Sequence, residues 1–151
     1  MIATIDLPDL DATTALAARI ASRLRAGDVV ALTGTLGAGK TTLARAVIRA
    51  LGHEGEVPSP SFAIIEPYDP PQVRLPVIHA DFYRLKDPAE LAEIGLDDYR
   101  EGAALIAEWP DHAGGFAHEA GCLSICMESD ENGRRAIVEP GQDWLERGSW
   151  N

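Results

Sequence analysis

The stretch Val29-Val30-Ala31-Leu32-Thr33-Gly34-Thr35-Leu36-Gly37-Ala38-Gly39-Lys40-Thr41-Thr42 decides the fold. Gly34, Gly39, Lys40 and Thr41 fill the phosphate-loop pattern G-x-x-x-x-G-K-[ST]. The glycines let the backbone curl so that successive N–H groups point inward at an anion. The helix that follows turns its positive dipole end to the same phosphates. In such a loop Lys40 would reach the β- and γ-phosphates of a nucleotide, and the Thr41 hydroxyl would complete a Mg²⁺ shell. The flanks agree with the motif. Val29 to Thr33 is a short apolar run of the kind found in buried parallel strands. Leu43, Val47, Ile48 and Leu51 recur at helical spacing, and Gly52 stands where a helix C-terminus belongs. The expected architecture is α/β: a phosphate-loop, three-layer domain with a mostly parallel sheet, helices on both faces, and added antiparallel strands. The lysines of the chain are Lys40 and Lys86. A composition that prefers arginine still places a lysine in the loop.

Outward from the loop, Asp11 or Thr13 is expected to cap a first helix with Leu16, Ile20 and Leu24 on its apolar face. His53 to Pro60 reads as a loop, Phe62 to Glu66 as a strand, and Pro67 to Pro71 as a turn. Arg74 to Ala80 reads as a strand antiparallel to its predecessor, because the connection is too short for a crossover helix. Pro88 suits the first turn of a helix through Leu91 and Ile94 that Gly95 stops. Ala103 to Ala107 reads as a buried parallel strand. Cys122 to Glu128 and Arg135 to Val138 flank Asn132-Gly133, a hairpin signal. A short helix is expected over Gln142 to Arg147, with Trp150 either a docking anchor or a loose tail.

The composition narrows the function. The chain has 151 residues, 46% of them hydrophobic, and a formal net charge of −11. That length suits one domain, residues 1–151. An acidic chain gains nothing from counterion release, which disfavours tight binding of nucleic acid by this chain alone. It suits docking on a basic partner. The N-terminus has no secretion-signal pattern, and no apolar stretch approaches the ~20 residues a membrane helix needs, so a cytoplasmic, non-membrane protein is expected. Cys122 and Cys126, four apart on one strand face, are half a metal site or two buried thiols; the second fits a reducing compartment.

Two further clusters carry chemistry. Val77 to Ala80 is an apolar run ending in Asp81, the acid that phosphate-loop proteins place opposite the threonine to hold Mg²⁺ or its water. His79 shares its face. Ala103 to Ala107 ends in Glu108-Trp109. A carboxylate at a strand's C-terminal end faces the ligand crevice of an open α/β sheet. Glu108 is therefore a candidate to activate the attacking water, and with Thr41 and Asp81 a candidate Mg²⁺ ligand. Trp109 either stacks on the nucleotide, seals the site, or is a core aromatic. Ser59-Pro60-Ser61-Phe62 is a candidate switch segment reaching the γ-phosphate.

In combination the chain resembles the TsaE (YjeE) family of phosphate-loop ATPases of tRNA threonylcarbamoyladenosine synthesis. The resemblance rests on G-x-L-G-A-G-K-T-T at Gly34 to Thr42, V-x-S-P-[ST]-F at Val57 to Phe62, H-x-D-x-Y-R-L at His79 to Leu85, and E-W at Glu108 and Trp109. E-L-x-x-I-G-L at Glu90 to Leu96 also fits. The resemblance runs from about Leu10 to Trp109, and the C-terminal third matches only in length and in its strand-hairpin character. The resemblance implies an ATPase acting with the TsaD and TsaB proteins, which transfer a threonylcarbamoyl group to the tRNA adenosine beside the anticodon. It implies ATP and Mg²⁺ as ligands. Nucleotide contacts fall on Thr35, Leu36, Gly37, Ala38, Gly39, Lys40, Thr41, Thr42 and Trp109, with Thr42 at the α-phosphate. Lys40, Asp81 and Glu108 carry catalysis, while His79, Tyr83 and Arg84 belong to the signature without an assigned role. Thr35 departs from the family, which usually has an acid there. Two other readings use the same loop. One is a small-molecule kinase with Asp81 as base and Arg84 on the acceptor; the other is a nucleotide-gated binding module with negligible turnover.

Overall fold

The computed structural model describes residues 2–150 except Leu36, residues 59–64 and Asn132. Its elements run β1 (Ala3–Leu7), α1 (Leu10–Arg23), β2 (Val29–Gly34), α2 (Lys40–Ala50), β3 (Ile65–Tyr68), β4 (Val77–Asp81), α3 (Glu90–Ile94), α4 (Leu96–Arg100) and β5 (Ala104–Glu108). A 3-10 turn at Pro110–Ala113 precedes β6 (Cys122–Asp130), β7 (Gly133–Pro140) and α5 (Gln142–Leu145). The seven strands form one sheet in the order β1-β7-β6-β2-β5-β4-β3.

The middle of that sheet is parallel: β2 pairs with β6 on one side and β5 on the other, and β5 pairs with β4. Buried on both faces, these strands are near-continuous apolar runs, as parallel strands require. Leu16, Ile20, Leu43 and Ile48 of α1 and α2 pack on one face, against Val30, Leu32, Ile106 and Ile125. Ile78, Ala31 and Leu105 of the other face meet Leu96 of α4 and Phe116, with Leu91 and Ile94 of α3 packed alongside. The expected three layers are therefore present. The parallel strands all end at the same edge of the sheet, so the residues that follow β2, β4 and β5 meet there.

The antiparallel strands lie at the flanks. β7 pairs with β6, β1 with β7, and β3 with β4. β1 was not expected, yet Ala3 and Leu7 are buried and Ile5 is partly so, which is the period-two pattern of a half-buried strand. β3 runs through Pro67 and Tyr68, where a turn was expected. A proline is tolerated because β3 is the sheet edge, where a missing N–H costs no ladder bond. The strand expected from Phe62 lies outside the described residues up to Ile64, and so does Asn132 of the hairpin.

Helix boundaries differ in instructive ways. Asp9, not Asp11 or Thr13, caps α1: its carboxylate accepts from the Ala12 N–H at 2.8 Å. Thr13 instead lies on the buried face. Asp9→Ala should lower the unfolding free energy by about 1 kcal/mol, read by chemical denaturation. α3 begins at Glu90, with Pro88 in the turn before it, and ends at Gly95 in the left-handed conformation as expected. The short α4 that follows was not foreseen.

The C-terminus is anchored. Arg147 pairs through both terminal nitrogens with Asp28, and the Trp144 indole N–H donates to the Gly121 carbonyl at 2.7 Å. Trp150 is buried, with the guanidinium groups of Arg19 and Arg23 over its ring. It is a docking anchor on α1. Cys122 is buried and Cys126 half-buried, both as free thiols, and no group of three or more His, Cys, Asp or Glu placed to hold a metal occurs among the described residues.

Candidate active site

β2 delivers the chain to the loop at Gly34, whose φ is +134° and where a Cβ would stand 2.4 Å from the Met127 carbonyl oxygen. Only glycine fits so close to β6. Gly39 takes φ +104° as the residue before α2, and a Cβ there would lie 3.1 Å from Arg134 Nη1. Lys40 is the first residue of α2 and is 5% exposed. Its ammonium donates to the carbonyls of Gly34 and Thr35, each at 2.8 Å, and lies 4.5 Å from the centre of the Trp109 ring. Burial lowers the Lys40 pKa, against the opposing pull of Glu108 and Asp81. Removed from water, that ammonium is a strong donor to an anion entering the loop.

Glu108 ends β5 and is 2% exposed. Both its oxygens are engaged: Oε1 accepts from the Thr41 hydroxyl at 2.6 Å, and Oε2 from His79 Nε2 at 2.7 Å. Burial alone would raise its pKa. The His79 hydrogen bond and charge, the Thr41 hydroxyl and the Lys40 charge outweigh it, so the carboxyl sits below its ordinary value and is ionised at neutral pH. Asp81 stands opposite Glu108 in the β4–β5 register. Its Oδ1 accepts from the Tyr83 N–H at 2.9 Å. Burial pushes the Asp81 carboxyl up, the Tyr83 bond opposes it, and the Glu108 charge adds to the rise.

These groups line a cleft of about 360 Å³ that also touches Gly37, Gly39, Thr42, Tyr83, Arg84, Trp109 and Arg134. The structure thus brings together Lys40, Thr41, Thr42, Asp81, Glu108 and Trp109. Ala38 is buried beneath the loop and its N–H closes a turn onto the Thr35 carbonyl at 3.1 Å, while Thr35 itself is exposed. Leu36 and the Ser59 to Phe62 segment lie outside the described residues. Trp109 has φ +57° at the step from β5 into the 3-10 turn. Its ring leans on Tyr83 and His112 as well as on Lys40. That puts the indole at the lysine end of the cleft, where it covers the loop. Of the unassigned signature residues, His79 is buried on Glu108, Tyr83 packs on Trp109, and Arg84 lines the cleft.

Arg134 is the residue that sequence reasoning missed. It enters from β7, and its Nη2 lies 3.5 Å from the Gly37 carbonyl oxygen. The signal available was a basic pair, Arg134-Arg135, directly after a hairpin turn in an acidic chain.

A family model described as "Threonylcarbamoyl adenosine biosynthesis protein TsaE" matches residues 7–137. The chain belongs to the TsaE family. The match includes β6 and most of β7, and so takes in Arg134 as well as the motifs further upstream. Relatives described as "tRNA threonylcarbamoyladenosine biosynthesis protein TsaE" include one from Mycobacterium bovis, 39% identical over 113 residues, 70% of this chain and 67% of the relative. The TsaE of Nostoc sp. is 33% identical over 141 residues, 90% of this chain and 85% of the relative. The crystal structure of Bacillus subtilis YdiB superposes with a TM-score of 0.76 at 27% identity, over 97% of this chain and 90% of that one. The TsaE fold seen here is thus that of a solved structure. No helix among the described residues is long and apolar enough to cross a membrane.

Proposed function

We propose that this TsaE family member binds and hydrolyses MgATP in the cleft beside Lys40. Hydrolysis serves the TsaD and TsaB proteins in threonylcarbamoyl transfer to the tRNA adenosine beside the anticodon. One observation supports the reading most: the buried Glu108 carboxylate accepts from the Thr41 hydroxyl at 2.6 Å, at the mouth of a phosphate loop. A loop that only shaped the chain would not need a carboxylate held there at the cost of its desolvation.

The residues present fit Mg²⁺. Thr41, Asp81 and Glu108 offer hydroxyl and carboxylate oxygens, the hard donors that Mg²⁺ takes from protein while phosphates and water complete its shell. Two carboxylates in register on neighbouring strands, one with its pKa raised by burial and by the other, also favour a cation near them. Held there, Mg²⁺ would supply charge neutralisation to the phosphate oxygens.

The chain's own groups do the rest. Loop N–H groups and the start of α2 hold the phosphates. Lys40 exchanges the Gly34 and Thr35 carbonyls for phosphate oxygens. Once the Thr41 hydroxyl turns to the nucleotide side, Glu108 Oε1 is free to accept a proton from water. The water oxygen bonds to the γ-phosphorus, the bond to the β–γ bridging oxygen breaks, and ADP and inorganic phosphate leave. Trp109 covers the lysine end of the cleft and limits water there. Arg134 adds a second cation over the loop. Arg134→Ala should weaken MgATP binding about tenfold or more, the worth of a charge-assisted hydrogen bond, with the melting temperature little changed. Titration with a fluorescent ATP analogue measures it.

The products decide between this reading and a kinase. ADP and inorganic phosphate in equal amounts, with TsaD and TsaB present, are expected. A phosphorylated small molecule in place of free phosphate would refute hydrolysis.

A further inference from the structure

His79 is fully buried on β4 and its Nε2 lies 2.7 Å from Glu108 Oε2. A carboxylate oxygen only accepts, so Nε2 carries the hydrogen and donates, whatever the charge of the ring. Its other nitrogen, Nδ1, has no hydrogen-bond partner among the described residues. On this face of the sheet Val77, two residues earlier, and Ile106, opposite on β5, are apolar, while Glu66 stands opposite on β3 and Asp81 lies two residues further on. A position that served packing alone would hold a side chain such as Val77. Here a polar ring is kept at the cost of one unpaired nitrogen.

What the ring gains is control of one carboxylate oxygen. Glu108 has two outward-facing tasks on Oε1: it holds the Thr41 hydroxyl in the arrangement seen here, and it takes the water proton under the function proposed above. Neither task fixes the carboxylate once Thr41 has turned away. The His79 bond to Oε2 does, from below, through a side chain that packing and the sheet hold still. We propose that His79 is the positioning residue for Glu108, clamping Oε2 so that Oε1 alone faces the γ-phosphate water. The inference rests on the hydrolytic reading of Glu108. In this role His79 acts only through the carboxylate.

The test compares His79→Leu, His79→Gln, His79→Asn, Glu108→Gln and the double variant His79→Leu/Glu108→Gln. Each is assayed as the full chain with TsaD and TsaB. Affinity is read with a non-hydrolysable ATP analogue and Mg²⁺, and turnover as phosphate release. His79→Leu should leave affinity unchanged and slow turnover about 10–100-fold, the usual cost of losing a group that orients a functional ligand. His79→Gln should recover most of the rate, because its amide reaches about as far as Nε2; the shorter His79→Asn should not. The double variant should be no slower than Glu108→Gln, since two residues acting as one unit are not additive. This comparison of Gln with Asn also stands if His79→Leu fails to fold. Equal losses in the Gln and Asn variants, a fall in affinity that matches the fall in rate, or losses that multiply would overturn the clamp. A fast His79→Leu beside a slow Glu108→Gln would overturn it too and leave the hydrolytic reading intact. A fast Glu108→Gln would overturn both.

Discussion

Lys40→Ala is expected to lose ATP binding and hydrolysis together. The ammonium is held against the Gly34 and Thr35 carbonyls, under the Trp109 ring and clear of bulk water. A cation in that setting is already desolvated and aimed, so its attraction to phosphate is realised without further reorganisation. Loss of one such preorganised group costs about 10²–10³ in rate at comparable sites. Here affinity should fall as well, because the ground-state phosphates use the same charge. Thermal melting separates this from misfolding: the two freed carbonyls lie in the loop, and the α2 packing of Leu43 and Ile48 is untouched. Arginine should not rescue, since its planar fork does not fit a pocket made for a compact ammonium. Undiminished affinity for MgATP in a folded Lys40→Ala protein would count against the site.

Glu108→Gln is expected to separate binding from chemistry. The amide can still accept from Thr41, and its shape preserves β5. It cannot take a proton. Hydrolysis should slow by about 10²–10⁴, the range for a lost general base, while the affinity for ATP holds. Single-turnover measurement with excess protein reads the chemical step directly. A variant that hydrolyses at the native rate would remove Glu108 from the mechanism. One that still supports threonylcarbamoyl transfer without hydrolysis would favour a nucleotide-gated binding role for the chain.

Much of the arrangement around this candidate site was legible in the sequence, for a physical reason. The phosphate loop is local: its glycines, lysine and threonine fall within one turn between β2 and α2, so spacing alone specifies it. Asp81 and Glu108 were legible because acids that end apolar runs have one place to go in a parallel sheet, the edge where the strands stop. Their pairing in the β4–β5 register is a consequence of that shared edge. Arg134 was not legible, because it comes from a hairpin 97 positions beyond Gly37 and reaches the loop only through the β6–β7 pairing. The same holds for Trp150, whose burial depends on Arg19 and Arg23 one turn apart on α1. The cap of α1 was misplaced for a smaller reason: Asp9, Asp11 and Thr13 are all good cap residues, and the choice falls to where the first turn closes. The turn expected at Pro67 failed because proline breaks central strands but not an edge strand.

Under the proposed function this cleft hydrolyses ATP in the service of TsaD and TsaB. Phosphate release from MgATP by the purified chain, alone and with both proteins added, tests it most directly. Strong stimulation by the pair, lost in Lys40→Ala and Glu108→Gln, is the predicted result. ATP binding with neither association nor stimulation by the pair would contradict it.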